Sequence, residues 1–204
     1  MRRLLLLFVL LGLLAAPTDA FARAPGLAFT GGTPAEQAQV RAALNASSFP
    51  WEILPQMIQV HLASGVDSYA TPGQVFLDAD LLDAGRFSWG TVQHEFGHQV
   101  DFLLIDDAKR ATLATTLGGR AWYYAGDPGA AHGEYGCERF ASTLAWSYWQ
   151  SSDNAMKPAT PHDESAAMAP AQFRALLAEL IGARPVAAAP ANAKAFAPKR
   201  KRTK

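Results

Sequence analysis

Two histidines and a glutamate are spaced in a way that suits metal chemistry. The segment His94-Glu95-Phe96-Gly97-His98 has the H-E-x-x-H pattern, and apolar residues recur at helical spacing from Ser88 to Leu104, which predicts a helix. Side chains four residues apart on a helix lie on one face, about 6 Å apart, so both imidazoles can reach one metal ion. Glu95 lies about 100° around the helix from His94, where it suits a general base that takes a proton from water.

A third metal ligand has to come from another part of the chain, because a catalytic zinc ion takes three protein ligands and keeps one position open. The candidates are Glu138, Glu134, His132 and Cys137. We favour Glu138, because the apolar residues that follow it at helical spacing predict an inward face that carries its carboxylate towards the first helix. Glu134 is the main alternative, and in that case Glu138 would orient a ligand histidine.

Two further residues of the predicted helix fit a metal site. Asp101 follows His98 by three residues and His94 by seven, which returns it to the same helical face. We expect its carboxylate to hold a ligand imidazole. Gly97 is unfavourable inside a helix by about 1 kcal/mol, which predicts that another backbone or the site itself approaches closely there.

These motifs resemble those of a known family. The run from His94 to Asp101, followed later by Glu138-Arg139-Phe140-Ala141, is similar to the zincin metallopeptidases. It is most similar to the branch that includes the catalytic domain of anthrax lethal factor, and the resemblance covers about residues 88–149. The resemblance implies one zinc ion per chain, with His94, His98 and Glu138 as its ligands. It also implies Glu95 as the base and Asp101 as a residue that holds a ligand imidazole in place.

A rival zincin pattern, E-x-x-A-D-x-F-A, can be laid over residues 134–141. It would make Glu134 the third ligand. The chain has Cys137 and Glu138 where that pattern has Ala and Asp, so the rival pattern remains second.

The resemblance also implies where a substrate binds. Zincins of this kind place an edge strand before the metal-binding helix, and the predicted strand Gln74 to Asp78 has that place in the chain. An extended peptide would add to it by strand augmentation. The oxyanion of the reaction needs a donor such as a tyrosine hydroxyl. Tyr135 is a candidate beside Tyr123 and Tyr124, although ordinary packing explains each tyrosine taken alone.

The other segments predict an α+β domain. Thr33-Pro34-Ala35-Glu36 is a capping box with proline at the first helical position, which predicts a helix over about residues 34–46. The remaining predicted elements are two neighbouring strands, Ile58–Ala63 and Gln74–Asp78, and helices over residues 134–149 and 170–181. We therefore expect a zincin-like α+β fold, with a small sheet packed on the H-E-x-x-H helix and on a following helix that carries the glutamate.

Length and composition predict one globular domain, residues 23–184, preceded by a targeting segment. The chain has 204 residues, of which 50% are hydrophobic, 18% are charged and one is cysteine. This composition excludes a disordered chain and a cysteine-rich zinc module. Residues 1–22 begin with a basic pair, continue through an apolar run and end in an A-x-A pattern, which predicts a signal peptide. We expect export to a periplasmic or extracellular space, without a transmembrane span after cleavage.

The last segment, residues 185–204, is rich in alanine, proline and lysine and cannot bury a core. It contains 6 Lys and Arg and no acid, whereas residues 23–184 contain 17 Asp and Glu against 10 Lys and Arg. We expect a disordered, solvated tail. A weak contact with an anionic surface such as lipid or cell-wall polymer is the alternative, and specific nucleic-acid binding is not expected.

Together these patterns predict an exported zinc metallopeptidase that acts on a peptide or protein substrate. Glu95 would activate the attacking water and then protonate the leaving amine. Two alternatives stay open. One is an inactive zincin-fold binding module of the cell envelope, and the other is a structural metal site closed by a fourth ligand such as His132.

Deletion of residues 185–204 tests the tail. We predict unchanged retention on anionic vesicles in a co-sedimentation assay, because a solvated tail makes no specific contact with a surface. Retention that falls when the tail is deleted would instead establish the electrostatic contact.

Overall fold

The computed structural model describes residues 26–182 of the chain. The predicted signal peptide and the predicted tail lie outside the described residues. The described part forms the strands β1 Leu27–Gly31, β2 Ile58–Ala63, β3 Tyr69–Thr71 and β4 Gln74–Asp78, and the helices α1 Pro34–Ala46, α2 Ala79–Leu82, α3 Trp89–Leu104, α4 Asp107–Leu117, α5 Gly136–Tyr148 and α6 Pro170–Ile181.

The four described strands form one mixed sheet in the order β1–β2–β4–β3. β1, β2 and β4 are parallel, while β3 is antiparallel to β4. Alternate residues of the central strands are buried, among them Val60 in β2 and Val75 in β4, which are partners in the register. Since this alternation is what the sequence shows, the two predicted strands are confirmed as neighbours.

The edge strand beside α3 is β3, so the prediction that Gln74–Asp78 forms the edge is wrong. A turn at Gly73, whose φ is +79°, reverses the chain between β3 and β4. Residues 69–71 therefore pair with the outer side of β4, and β4 lies between β2 and β3. β3 has only three residues, too few for the alternation on which the strand predictions rest.

The helix predictions are largely confirmed. The capping box is present at the start of α1: the Thr33 hydroxyl accepts from the Glu36 backbone N–H at 3.3 Å, and the Glu36 carboxylate accepts from the Thr33 N–H at 2.7 Å. α5 begins at Gly136 rather than at Glu134. The preceding residue, Tyr135, has extended backbone and forms a bridge with Ala121, which keeps Glu134 out of the helix.

α3 lies between the sheet and α5, and a glycine sets the distance between the two helices. A Cβ atom at Gly97 would lie 3.0 Å from the Cα and 3.2 Å from the Cβ of Ala141. The expected close backbone approach at Gly97 is therefore confirmed, and its partner is α5. Both helices also contribute fully buried aromatic side chains to the hydrophobic core, among them Phe96 from α3 and Phe140 from α5.

The described residues therefore form an α+β fold with a small mixed sheet and six α-helices. In residues 26–182, no helix combines the length and the apolar character that crossing a membrane requires.

The Gly97→Val variant tests the role of the close helix contact. We expect its free energy of unfolding to fall by about 1–3 kcal/mol, because the added isopropyl group overpacks the α3–α5 interface. Chemical denaturation measures this change. Ala111→Val is the control, because it places the same side chain at an exposed helical position. Equal stability of the two variants would contradict a tight interface.

Candidate metal centre

Three electron-rich atoms meet where α3 packs on α5. Nε2 of His94 lies 3.1 Å from Nε2 of His98, and Oε2 of Glu138 lies 3.1 and 3.2 Å from these two nitrogens. Both histidines are 7% exposed. The three atoms thus form a nearly equilateral triangle inside the protein.

This triangle fits a metal ion of the zinc type. Zinc binds imidazole nitrogen and carboxylate oxygen at about 2.0–2.2 Å with tetrahedral geometry, which places neighbouring ligand atoms about 3.3 Å apart. The observed separations of 3.1–3.2 Å are close to that value. Two imidazoles and one carboxylate also form a ligand set that leaves the fourth position open.

The local sequence explains how the three ligand candidates meet. His94 and His98 are four residues apart on α3 and therefore share one face. Glu138 lies in the first turn of α5, where the positive end of the helix dipole stabilises a carboxylate. The contact at Gly97 brings this first turn close to the two imidazoles.

Glu138 and His98 of the centre shift each other's pKa. Burial raises the pKa of Glu138, but hydrogen bonds with His94 and His98 outweigh burial and hold that pKa well below its usual range. Burial lowers the pKa of His98, yet the hydrogen bond to Glu138 and the nearby carboxylates shift it above its usual value. Glu138 is therefore a carboxylate at neutral pH, as a metal ligand has to be.

Glu95 lies beside these atoms and is 5% exposed. One of its carboxylate oxygens lies within 4.8 Å of ring nitrogens of both His94 and His98. Its burial raises its pKa above the usual value, although the two histidines act in the opposite direction. A carboxylate with a raised pKa beside an open metal position suits proton transfer near neutral pH.

Ser142 and Glu164 extend the site, and the sequence analysis did not find them. The Ser142 hydroxyl lies 3.0 Å from Nδ1 of His94 and 3.1 Å from Oε2 of Glu164. Ser142 follows Glu138 by four residues on α5, so helical spacing could have indicated it. Glu164 lies in a separate turn, Glu164–Ala166, and no motif pointed to it.

His132 is a further side chain at the centre. Its Nε2 lies 3.2 Å from Oε2 of Glu138, and its Nδ1 lies 2.9 Å from Oε1 of Glu164. The hydrogen bond with Glu164 raises the pKa of His132 to about 9. With 67% of its side chain exposed, His132 lies on the solvent side of the other three residues.

Asp101 has a different role from the predicted one. Its carboxylate is fully buried and accepts hydrogen bonds from Arg110 Nε at 2.9 Å, Trp122 Nε1 at 3.0 Å and Tyr123 Oη at 2.7 Å. No histidine is among its hydrogen-bond partners in residues 26–182. Asp101 therefore attaches α4 and the segment before α5 to α3, and Ser142 takes the place beside the His94 imidazole.

The two alternative ligands occupy different environments. The structure places Glu134 away from the centre: its Oε2 accepts from the Ala131 N–H at 2.8 Å and lies 3.3 Å from Arg120. Cys137 lies next to the centre, with its Sγ 3.6 Å from Oε1 of Glu138. Burial raises the pKa of the Cys137 thiol, which favours the neutral form that packs as a small apolar side chain.

Tyr135 does not face the centre, so the prediction that it stabilises an oxyanion is wrong. Its hydroxyl contacts the carbonyl oxygens of Asp127 and Ala130 at 2.9 and 3.1 Å, because the bridge at this residue turns its side chain into the loop. The Tyr123 hydroxyl likewise donates its hydrogen bond elsewhere, to the Asp101 carboxylate. The exposed Tyr124 lines a pocket beside the centre.

The centre lies at the floor of a cleft made of two adjoining pockets of about 780 and 450 Å³. Both pockets are lined by His94, Glu95 and His132. Tyr69 and Ala70 of β3 line the smaller pocket, so the edge strand forms one wall of the cleft. The cleft has the size and position of a substrate site.

Gln99 on α3 fixes the edge strand relative to the centre. Its buried side chain donates to the carbonyl oxygens of Thr71 at 2.9 Å and Gln74 at 3.0 Å, and accepts from the Gly73 N–H at 2.8 Å. The residue that follows His98 therefore holds the β3–β4 turn.

Comparisons of the chain with protein-family models, with curated proteins and with solved structures found no match. The chemistry of the centre is therefore inferred from its own residues.

Replacement of the two candidate glutamates tests the third ligand. We expect Glu138→Ala to weaken zinc binding by at least about 100-fold, or about 2.7 kcal/mol, because it removes one corner of the triangle. Glu134→Ala should keep one zinc ion per chain, since in residues 26–182 that carboxylate bonds to Arg120 and Ala131 and not to the centre. Elemental analysis and chelator competition measure both effects. Zinc loss in Glu134→Ala, with retention in Glu138→Ala, would contradict the assignment.

Proposed function

We propose that this protein is a zincin-like, zinc-dependent hydrolase of peptide bonds. The observation that carries the proposal is the buried triangle of His94, His98 and Glu138, with the Glu95 carboxylate beside it at the floor of a cleft. The predicted signal peptide supports export to a periplasmic or extracellular space.

Zinc is the proposed cofactor, and its ligands are His94, His98 and Glu138. Bound there, a zinc ion would polarise the scissile carbonyl and lower the pKa of a coordinated water towards 7. Two nitrogens and one oxygen at tetrahedral spacing support zinc over magnesium or calcium, which prefer oxygen ligands in larger number.

Glu95 is the proposed general base and acid. Its carboxylate takes a proton from the attacking water and then delivers that proton to the nitrogen of the leaving amine. Burial holds its pKa above the usual value, which brings it closer to the pH at which the protein would act. Glu95 does not need to bind the metal for this role.

An extended peptide or protein segment is the proposed substrate. The outer edge of β3 carries no other described strand, so its backbone groups, apart from the Thr71 carbonyl that accepts from Gln99, are available for strand addition. Tyr69 on β3 is 48% exposed, and Tyr124, which lines the same pocket, is 65% exposed. Exposed aromatic side chains at a cleft favour contact with a ligand.

The Glu95→Gln variant tests the mechanism. We expect it to keep one zinc ion per chain and to lose about 10²–10⁴-fold in kcat/KM, because the amide cannot accept the proton. Hydrolysis of a mixed peptide library by the zinc-loaded mature chain, residues 23–204, is the assay. Glu52→Gln is the control, because it makes the same change at an exposed position.

Two results would contradict the proposed function. Full hydrolytic activity of zinc-loaded Glu95→Gln would rule out its role as the base. A zinc-loaded wild-type protein that cleaves no member of the library would instead favour an inactive binding module.

A further inference from the structure

One carboxylate, Glu164, joins two histidines of the centre without being a candidate ligand itself. Its Oε2 contacts the Ser142 hydroxyl, which in turn contacts His94, and its Oε1 contacts His132. Both oxygens of Glu164 are thus committed to residues that face the metal position. Neither the ligand set nor the action of Glu95 accounts for this arrangement.

The donor and acceptor roles along this chain of contacts can be worked out. A hydroxyl has one hydrogen to donate, and an ionised carboxylate only accepts. Hydrogen bonds with His132 and Ser142 outweigh burial and hold the pKa of Glu164 below its usual value, so Glu164 is ionised. Ser142 therefore donates to Glu164 and accepts from Nδ1–H of His94.

The direction of these bonds fixes the tautomer of His94. When a metal ion displaces the hydrogen that Nε2 shares with Glu138, the hydrogen that remains is on Nδ1, and the lone pair of the neutral imidazole is on Nε2. That nitrogen is the one that lies 3.1 Å from Oε2 of Glu138. The chain from Glu164 through Ser142 thus points a lone pair of His94 at the proposed metal position.

The other branch of Glu164 ends at His132. Nδ1–H of His132 donates directly to Oε1 of Glu164, which turns Nε2 towards the centre from the solvent side. This Nε2 lies 3.2 Å from Oε2 of Glu138. The branch through His132 therefore reaches Glu138, whereas the branch through Ser142 reaches His94.

We propose that Glu164 is a positioning residue of the metal centre, which acts on the ligand His94 through the Ser142 hydroxyl. This inference rests on the proposed zinc site. A carboxylate or hydroxyl behind a ligand histidine typically changes metal affinity by about 10–100-fold. Ser142 and Glu164 are expected to have effects of this size.

Zinc affinity of the Ser142→Ala variant is the first test. We expect a loss of about 10–100-fold in a chelator-competition titration, together with a change in the visible spectrum of the cobalt-substituted protein. Ser147→Ala is the matched control, because Ser147 is on the same helix and its buried hydroxyl has no hydrogen-bond partner within residues 26–182. It should leave zinc affinity and the cobalt spectrum unchanged.

A double-mutant cycle then separates the two branches. Glu164→Gln should weaken zinc binding by a similar factor, and adding Ser142→Ala to it should change little, because the two residues act in one chain. His132→Ala also removes a contact with Oε2 of Glu138, so it serves as a background: adding Glu164→Gln to it should still weaken zinc binding by about 10–100-fold, because the branch through Ser142 is intact there. Thermal melts of the metal-free variants check that each has folded.

Several outcomes would overturn the inference. Equal zinc affinity and equal cobalt spectra of Ser142→Ala and Ser147→Ala would show that the hydroxyl does not position His94. A Glu164→Gln effect that disappears in the His132→Ala background would show that Glu164 acts through His132. If Ser142→Ala does not fold, Ser142→Thr and Ser142→Val are compared instead: the threonine keeps the hydroxyl and should bind zinc as the wild type does, whereas the valine lacks it and should bind about 10–100-fold more weakly.

The affinity measurements are independent of hydrolysis. If Ser142→Ala weakens zinc binding while Glu95→Gln stays active, the positioning role stands and the proposed mechanism fails. If zinc affinity is insensitive to Ser142 and Glu95→Gln is inactive, the mechanism stands and the positioning role fails. A wild-type protein that binds no zinc overturns both.

Discussion

The close packing of α3 against α5 is the constraint on which the candidate centre depends. At Gly97 the two helix backbones approach so closely that a Cβ atom would lie 3.0 Å from the Cα of Ala141. One turn away, this approach forces a carboxylate oxygen of Glu138 to within 3.1–3.2 Å of two imidazole nitrogens. Lone pairs that converge in a buried site repel one another unless a cation or shared protons lie between them. A bound metal would therefore stabilise the folded state at this interface.

The same helix also anchors the walls of the cleft. Gln99 binds the turn after the edge strand, and Asp101 binds the indole of Trp122 and the hydroxyl of Tyr123. Both are buried on α3 within three residues of His98. The candidate ligand histidines, the edge strand and the aromatic side chains of the cleft are thus all attached to α3, which limits their relative motion and favours a preformed site. Glu164 lines the same cleft and contacts Ser142 and His132.

The sequence predicted the parts of the molecule that follow from local periodicity. The predicted bounds of α1, β2, β4 and α6 agree with the structure. A capping residue or a proline marks the start of a helix, and alternation of apolar residues marks the buried face of a strand. The third-ligand candidate Glu138 also lies where helical spacing indicated. Asp101 contacts Arg110 on α4 and two aromatic residues of the segment before α5, which has no periodic pattern. β3 has three residues, and Glu164 approaches from a distant turn. Contacts of this kind are set by tertiary packing, which one sequence does not reveal.

We propose that two imidazoles and one carboxylate hold a zinc ion between α3 and α5. X-ray absorption at the zinc edge of the metal-loaded wild-type protein tests this proposal. We expect nitrogen and oxygen ligands at about 2.0–2.2 Å, with two imidazole ring signatures and no sulfur. A sulfur atom at about 2.3 Å would assign Cys137 as a ligand, and a third imidazole signature would assign His132. Either result, or the absence of bound zinc, would contradict the proposed centre.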